Sequence, residues 1–149
     1  MRSRLTLIFF IALTMSCAVM ADNHKGLRIS QAHARATAPG QSSAAVYLTI
    51  ENTGASVDEL VAVKSPAATT ASLHSMAMKG NVMQMREVDH ITVAPAATAA
   101  MVAGHGYHFM LSGLRHPLVA GQKIPLVLTF KNSGVVKTNV TIDGLTSTP

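Results

Sequence analysis

Apolar residues recur at every second position through most of the chain, and Pro or Gly interrupts them often, so the pattern predicts strands and offers few helix signals. Ten strands are expected, at 27–34, 44–52, 58–64, 71–76, 82–86, 90–93, 98–102, 107–111, 124–131 and 135–142. Turn-forming groups lie between them, among them Asn52-Thr53-Gly54, Lys79-Gly80-Asn81, Gly104-His105-Gly106, Ala120-Gly121-Gln122 and Asn132-Ser133-Gly134. Short strands at this spacing predict an all-β fold, an antiparallel β-sandwich, with 124–130 and 135–140 as a hairpin that closes the sheet.

Only the start of the chain breaks the alternation. Met1-Arg2-Ser3-Arg4 is followed by an apolar run from Leu5 to Leu13 and by small residues around Val19-Met20-Ala21, the pattern of a secretory signal peptide. The run falls short of the roughly 20 residues that span a bilayer. Cleavage after Ala21 is expected in preference to lipid attachment at Cys17, because Thr14 in Thr14-Met15-Ser16-Cys17 stands where a lipoprotein box has an aliphatic residue. The expected organisation is therefore a signal peptide at 1–21 and one domain at 22–149, periplasmic and without stable membrane insertion after cleavage. Cys17 is the sole cysteine, so the mature chain can form no disulfide and cannot be a blue-copper carrier, which needs a thiolate ligand.

Composition narrows the function further. The net charge of +5 includes Arg2 and Arg4 of the leader, and aromatic residues make up 4% with no Trp. Neither a clustered basic face nor a stacking platform is available, so no nucleic-acid partner is expected. Nor is an enzyme expected: no Ser/His/Asp or paired-carboxylate arrangement emerges, and Asp58 and Glu59 are adjacent, hence on opposite faces of a strand.

The candidate chemistry lies in methionine and histidine. Beyond the leader, methionines stand at 76, 78, 83, 85, 101 and 110. On extended chain His74, Met76 and Met78 share a face, as do Met83 with Met85 and His108 with Met110. Thioether sulfur is soft and neutral, and with imidazole it suits Cu(I) better than zinc, magnesium or calcium. The competing reading is that methionines fill a core poor in aromatics. Met78 and Met101 are expected to pack in that way, and His33, His90, His105 and His116, which lack a partner at ligand spacing, to be solvated. A start at Asp22-Asn23-His24 would add a Cu(II) site, in which the terminal amine, two deprotonated amides and the His24 imidazole form a square plane.

At these residues the chain resembles the periplasmic Cu(I) chaperones called PCu(A)C, whose pattern is His, ten residues, Met, about twenty-one residues, then His-x-Met. Here Ser75 to Gln84 separate His74 from Met85, and His108-Phe109-Met110 supplies the triplet. The likeness extends over His33-Ala34-Arg35-Ala36-Thr37, 46–52, 73–76, 85–88, 107–114, Pro117-Leu118, Gly121 and 126–130. One departure is the span from Arg86 to Tyr107, one residue longer than the family spacing, with the extra residue expected at Val93-Ala94-Pro95-Ala96. The resemblance implies a Greek-key, cupredoxin-like sandwich that holds Cu(I) through His74, Met85, His108 and Met110; the neighbouring Met76 and Met83 are read as adjacent or alternative sulfur donors. It implies delivery to the copper centre of a respiratory cytochrome oxidase subunit or to another copper chaperone. The alternatives are copper storage or tolerance, or a metal-free structural β-domain.

Overall fold

The computed structural model describes residues 22–24 and 26–145, so the expected signal peptide lies outside the described residues. Within them the chain forms strands β1 (Asp22–His24), β2 (Leu27–Arg35), β3 (Ser43–Asn52), β4 (Asp58–Lys64), β5 (Ala68–Lys79), β6 (Val82–Glu87), β7 (Ile91–Val93), β8 (Thr98–Ala100), β9 (Gly106–Leu114), β10 (Lys123–Phe130) and β11 (Gly134–Asp143). No described residue is helical. The ten strands that alternation predicts are all present, with ends shifted by no more than three residues. The addition is β1, which pairs with β2 from Asp22 opposite Ile29 to His24 opposite Leu27.

The ladder runs β6-β5-β9-β3-β2-β11-β10-β4-β7, with β1 attached to β2 and β8 to β3. It doubles over into an open β-sandwich. Leu27, Ile29, Val46, Leu48, Ile50, Phe109 and Leu111 from one half and Leu60, Leu126, Leu128, Phe130, Val136, Val140 and Ile142 from the other form a single buried cluster. Each large apolar side chain buried there contributes about 1.5–3 kcal/mol, more than the whole span of strand propensities, so the alternation of apolar residues sets the strand faces. The β2–β11 pairing is parallel and the rest are antiparallel. The β10–β11 hairpin does not close the sheet. It lies inside the ladder between β2 and β4, and the edges are β6 and β7.

Two local features fix strand positions at particular residues. Gly113 of β9 has φ +67, and a Cβ there would come within 2.7 Å of the Thr69 Oγ1 on β5. A side chain at 113 would push these two strands apart. At the other end of the molecule Asp58 begins β4 with its carboxylate buried. Its Oδ1 accepts the Glu59 and Asn132 N–H groups at 2.8 and 2.9 Å, and its Oδ2 accepts the Ser133 N–H at 2.9 Å, so it caps the β10–β11 turn. Burial alone would raise the Asp58 pKa, but the hydrogen bonds from Ser133, Asn132 and Glu59 outweigh it and hold the pKa below 3.8.

Replacing Asp58 by Ala should therefore destabilise the fold by about 1–3 kcal/mol, because backbone donors lose their acceptor. The loss should depend on pH. The folded pKa lies below the unfolded value, so the contribution is complete above that value and disappears as pH falls through the lowered folded pKa. Denaturant midpoints of wild type and variant should accordingly converge in strong acid.

Candidate metal centre

Strands β6, β5 and β9 bring the His and Met residues together by register alone. His74 lies directly opposite His108 and Ser72 opposite Met110 across the β5–β9 pair. Across the β5–β6 pair Met76 lies opposite Met85 and Met78 opposite Met83. Cross-strand partners share a face and alternate residues along a strand return to it, so all seven His and Met side chains occupy one face. Leu73 and Phe109, themselves opposite each other, point the other way into the core. His74, Met85, His108 and Met110 thus lie on one face, with the two imidazoles opposite each other in the middle, Met110 to one side and Met85 to the other.

The histidines carry the chemical signature of the site. Their ring centroids are 5.5 Å apart with planes at 44°. Two imidazoles that share one tetrahedral first-row ion through bonds of about 2 Å have ring centres about 5–6 Å apart. His108 is 1% exposed, and neither of its ring nitrogens has a hydrogen-bond partner; His74 Nδ1 is also buried and unpartnered. The Ser72 Oγ lies 2.9 Å from His74 Nε2 and occupies that nitrogen alone. Buried ring nitrogens without partners are rare; a cation satisfies the lone-pair nitrogen of a neutral imidazole and leaves its N–H to find an acceptor. Burial, followed by the neighbouring His74, holds the His108 pKa below 6.5, so the imidazole is neutral near pH 7, the form a metal ligand requires. Among the described residues no group of three or more His, Cys, Asp or Glu side chains converges. A set built on His74 and His108 therefore needs the thioethers, and the donor set fits a soft monovalent copper ion as cargo.

The register bears on the longer span between Arg86 and Tyr107. The β5–β9 pairing runs from Ala68–Leu114 to Met76–Gly106 without a shift, so β9 carries no bulge that would turn His108 away. A left-handed non-glycine residue, Ala96 with φ 55, stands instead in the 94–97 turn, where the Ala97 N–H meets the Ala94 carbonyl at 3.1 Å.

Other expectations divide. Met101 is 3% exposed and packs in the core as expected, and His90, His105 and His116 are exposed. Met78, expected to pack, does not: it is 56% exposed on the β5–β6 hairpin. Asp22, Asn23 and His24 lie in β1, whose backbone pairs with β2. The residue that spacing did not reveal is His33. The β2–β3 register slips by one residue between Ser30 and His33, and Gln31 in the bulge has φ 54. Without the extra residue His33 would share the core-facing side with Leu27 and Ile29. With it, His33 lies opposite Tyr47, on the His/Met face. Its ring stands 5.6 Å from Tyr47, which stands 6.1 Å from His108, so an aromatic row runs from the metal group to β2. The Gln31 carbonyl, 2.8 Å from His33 Nδ1, fixes that ring. A bulge leaves no mark in a hydrophobic pattern, so only the register could expose this row.

The chain matches the family model described as LpqE-like over residues 27–142. A protein of Leifsonia xyli subsp. xyli named as a lipoprotein is 32% identical over 122 residues, covering 82% of this chain and 72% of its own. Among solved structures, the apo PCuAC domain from PmoF1 superposes with a TM-score of 0.73 at 26% identity, covering 84% of this chain and 99% of that one. The Cu(I) form of DR1885 from Deinococcus radiodurans gives a TM-score of 0.61 at 25% identity, covering 87% and 84%.

A buried imidazole with no partners costs stability in the metal-free protein. His108→Leu should therefore stabilise the apo protein by about 1 kcal/mol, seen as a raised denaturation midpoint, once the unpaired nitrogens are gone. The unfolded chain takes up a proton at His108 before the folded one does, so apo wild type should lose stability as pH falls below 6.5. The variant should show a flatter profile. A loss of several kcal/mol on His108→Leu would instead mark His108 as a packing residue.

Proposed function

The chain belongs to the LpqE-like family of PCuAC copper-chaperone domains, and from that premise we propose that it binds one Cu(I) through His74, Met85, His108 and Met110 and hands it to another protein. The three unpartnered ring nitrogens at the centre of a methionine-lined face carry this reading. Two imidazoles and two thioethers neutralise no charge on the ion and hold it by soft donors, an arrangement suited to release by ligand exchange. Met85 is 47% exposed and lies on an edge strand, where an incoming ligand can displace it. Met76 and Met83 flank it as auxiliary donors. For an LpqE-like protein the place of work is outside the cytoplasm. The periplasm is the compartment proposed, and the dinuclear copper centre of a cytochrome oxidase subunit, or a second copper chaperone, the acceptor. The His/Met group is a binding site and not a catalytic one. Storage or tolerance would use the same four ligands and differ only in the absence of an acceptor. A metal-free structural domain is disfavoured by the cost of leaving the buried His108 imidazole and the His74 Nδ1 without partners.

Met85→Leu keeps volume and apolarity, so it should weaken Cu(I) binding by about tenfold or more while leaving the apo melting temperature unchanged. X-ray absorption of the Cu(I) protein should report mixed sulfur and nitrogen scattering; nitrogen and oxygen alone would rule out this ligand set.

The Cu(II) site at Asp22-Asn23-His24 is proposed for a chain cleaved after Ala21. It uses the same backbone that β1 commits to β2. Successive amides on a strand point to opposite sides, whereas the square plane needs the amides of Asn23 and His24 on one ion. Cu(II) binding there should undo the β1 pairing. A four-nitrogen paramagnetic signal is expected, abolished by His24→Ala and retained when His74 and Met85 are replaced. Intact mass of the secreted protein comes first, since lipid attachment at Cys17 would leave no free amine at Asp22.

A further inference from the structure

The β5–β6 hairpin carries more sulfur than a single four-ligand site can use. Met76 lies opposite Met85 and, one step nearer the tip, Met78 lies opposite Met83. All four share the His74 face, whereas Ala77, Lys79, Val82, Gln84 and Arg86 alternate to the other side, so no cationic side chain of this hairpin points among the thioethers. Met76 is covered, at 8% exposed, although it lies on the face away from the core, but Met78 and Met83 are not, at 56% and 51%. Every residue of β6 is exposed, so nothing among the described residues covers this pair. Two large apolar side chains kept in water on an edge strand gain nothing from burial, and thioether chemistry is what they have left to offer.

We propose that Met78 and Met83, set opposite each other at the exposed end of the β5–β6 hairpin, form with Met85 a second Cu(I) position, an outer all-thioether station through which copper enters or leaves the His74/His108 group. Directly opposed strand residues have Cβ atoms about 4.5–5.5 Å apart, and diagonal neighbours about 7–8 Å, both within reach of unbranched methionine side chains converging on one ion. Cu(I) accepts an all-sulfur set because it is soft, and a set of neutral thioethers without imidazole holds it more weakly than the inner group does. Met85 belongs to both sets. It faces Met76 and is diagonal to His74 on one side and to Met78 on the other, so a turn of its side chain exchanges the ion between the two positions without opening the core. No electron is transferred, and only ligands are exchanged.

The inference rests on the Cu(I) reading of the inner group, and its test separates the two. Intact protein labelled at the methionine methyl carbons is titrated with Ag(I), the redox-stable surrogate for Cu(I), and each methyl resonance is followed. The first equivalent should move Met85 and Met110, and the second should move Met78 and Met83 and shift Met85 again, since both positions draw on it. Met78→Leu should leave the first event as it is and weaken the second by about tenfold or more. His74→Ala should weaken the first event, so that Met78 and Met83 respond to the first equivalent instead. If Met85 and Met110 respond while Met78 and Met83 stay unmoved through two equivalents, the outer station is wrong and the inner site stands. If Met78 and Met83 respond and Met110 does not, the outer station stands and the inner site falls. Should no methionine methyl move, both are overturned.

Discussion

The pleat is the constraint from which the rest follows. Side chains of a strand alternate strictly between two faces, so the pairing of β5 with β9 decides at one stroke that Leu73 and Phe109 meet in the core and that His74 and His108 meet on the far side. A slip of one residue on either strand would bury an imidazole in the sandwich and put a leucine or phenylalanine on the His/Met face. The cost of such a slip is several buried apolar side chains, which is why a site made of weakly held ligands can rest on a register that is itself firmly set. Gly113 serves the same end, since its missing side chain lets β9 close against Thr69.

The same pairing leaves the protein with a conflict between stability and function. His108 is as buried as any leucine of the core, yet its two nitrogens find no donor or acceptor, and a neutral ring is maintained there by desolvation. Natural folds tolerate such groups where the work requires them. The rest of the molecule offsets the cost with a single continuous core, and polar obligations elsewhere are met closely, as at Asp58, where both carboxylate oxygens accept backbone N–H groups.

Much of the fold is legible in the sequence because the period of two is strong: 58–64 matches β4 to the residue, and strand phase alone groups His74 with Met76 and Met78, Met83 with Met85, and His108 with Met110, whereas the choice of His74, Met85, His108 and Met110 comes from the family resemblance. What escaped notice has physical causes. β1 carries three polar residues and no alternation, and it forms by pairing with β2. The parallel β2–β11 contact joins distant segments and leaves no local trace. The bulge at Gln31 adds a residue without interrupting the apolar pattern, so it concealed that His33 faces Tyr47 and not the core. Met78 and Met101 look alike in a sequence. Whether a methionine at an alternating position is covered depends on which strand ends up at the edge, and β6 does.

That edge has a kinetic meaning. Strand β6 has a neighbour on one side only and buries none of its six residues, so its detachment from β5 exposes little new apolar surface and costs far less than unfolding the sandwich. Its hydrogen bonds should fray and reform many times within the lifetime of the folded protein. A ligand mounted on such a strand comes and goes with the backbone that carries it, so the residence time of a cargo ion can be set by a hairpin breathing against a fixed pair of imidazoles, and tuned by changes to β6 that never touch the metal.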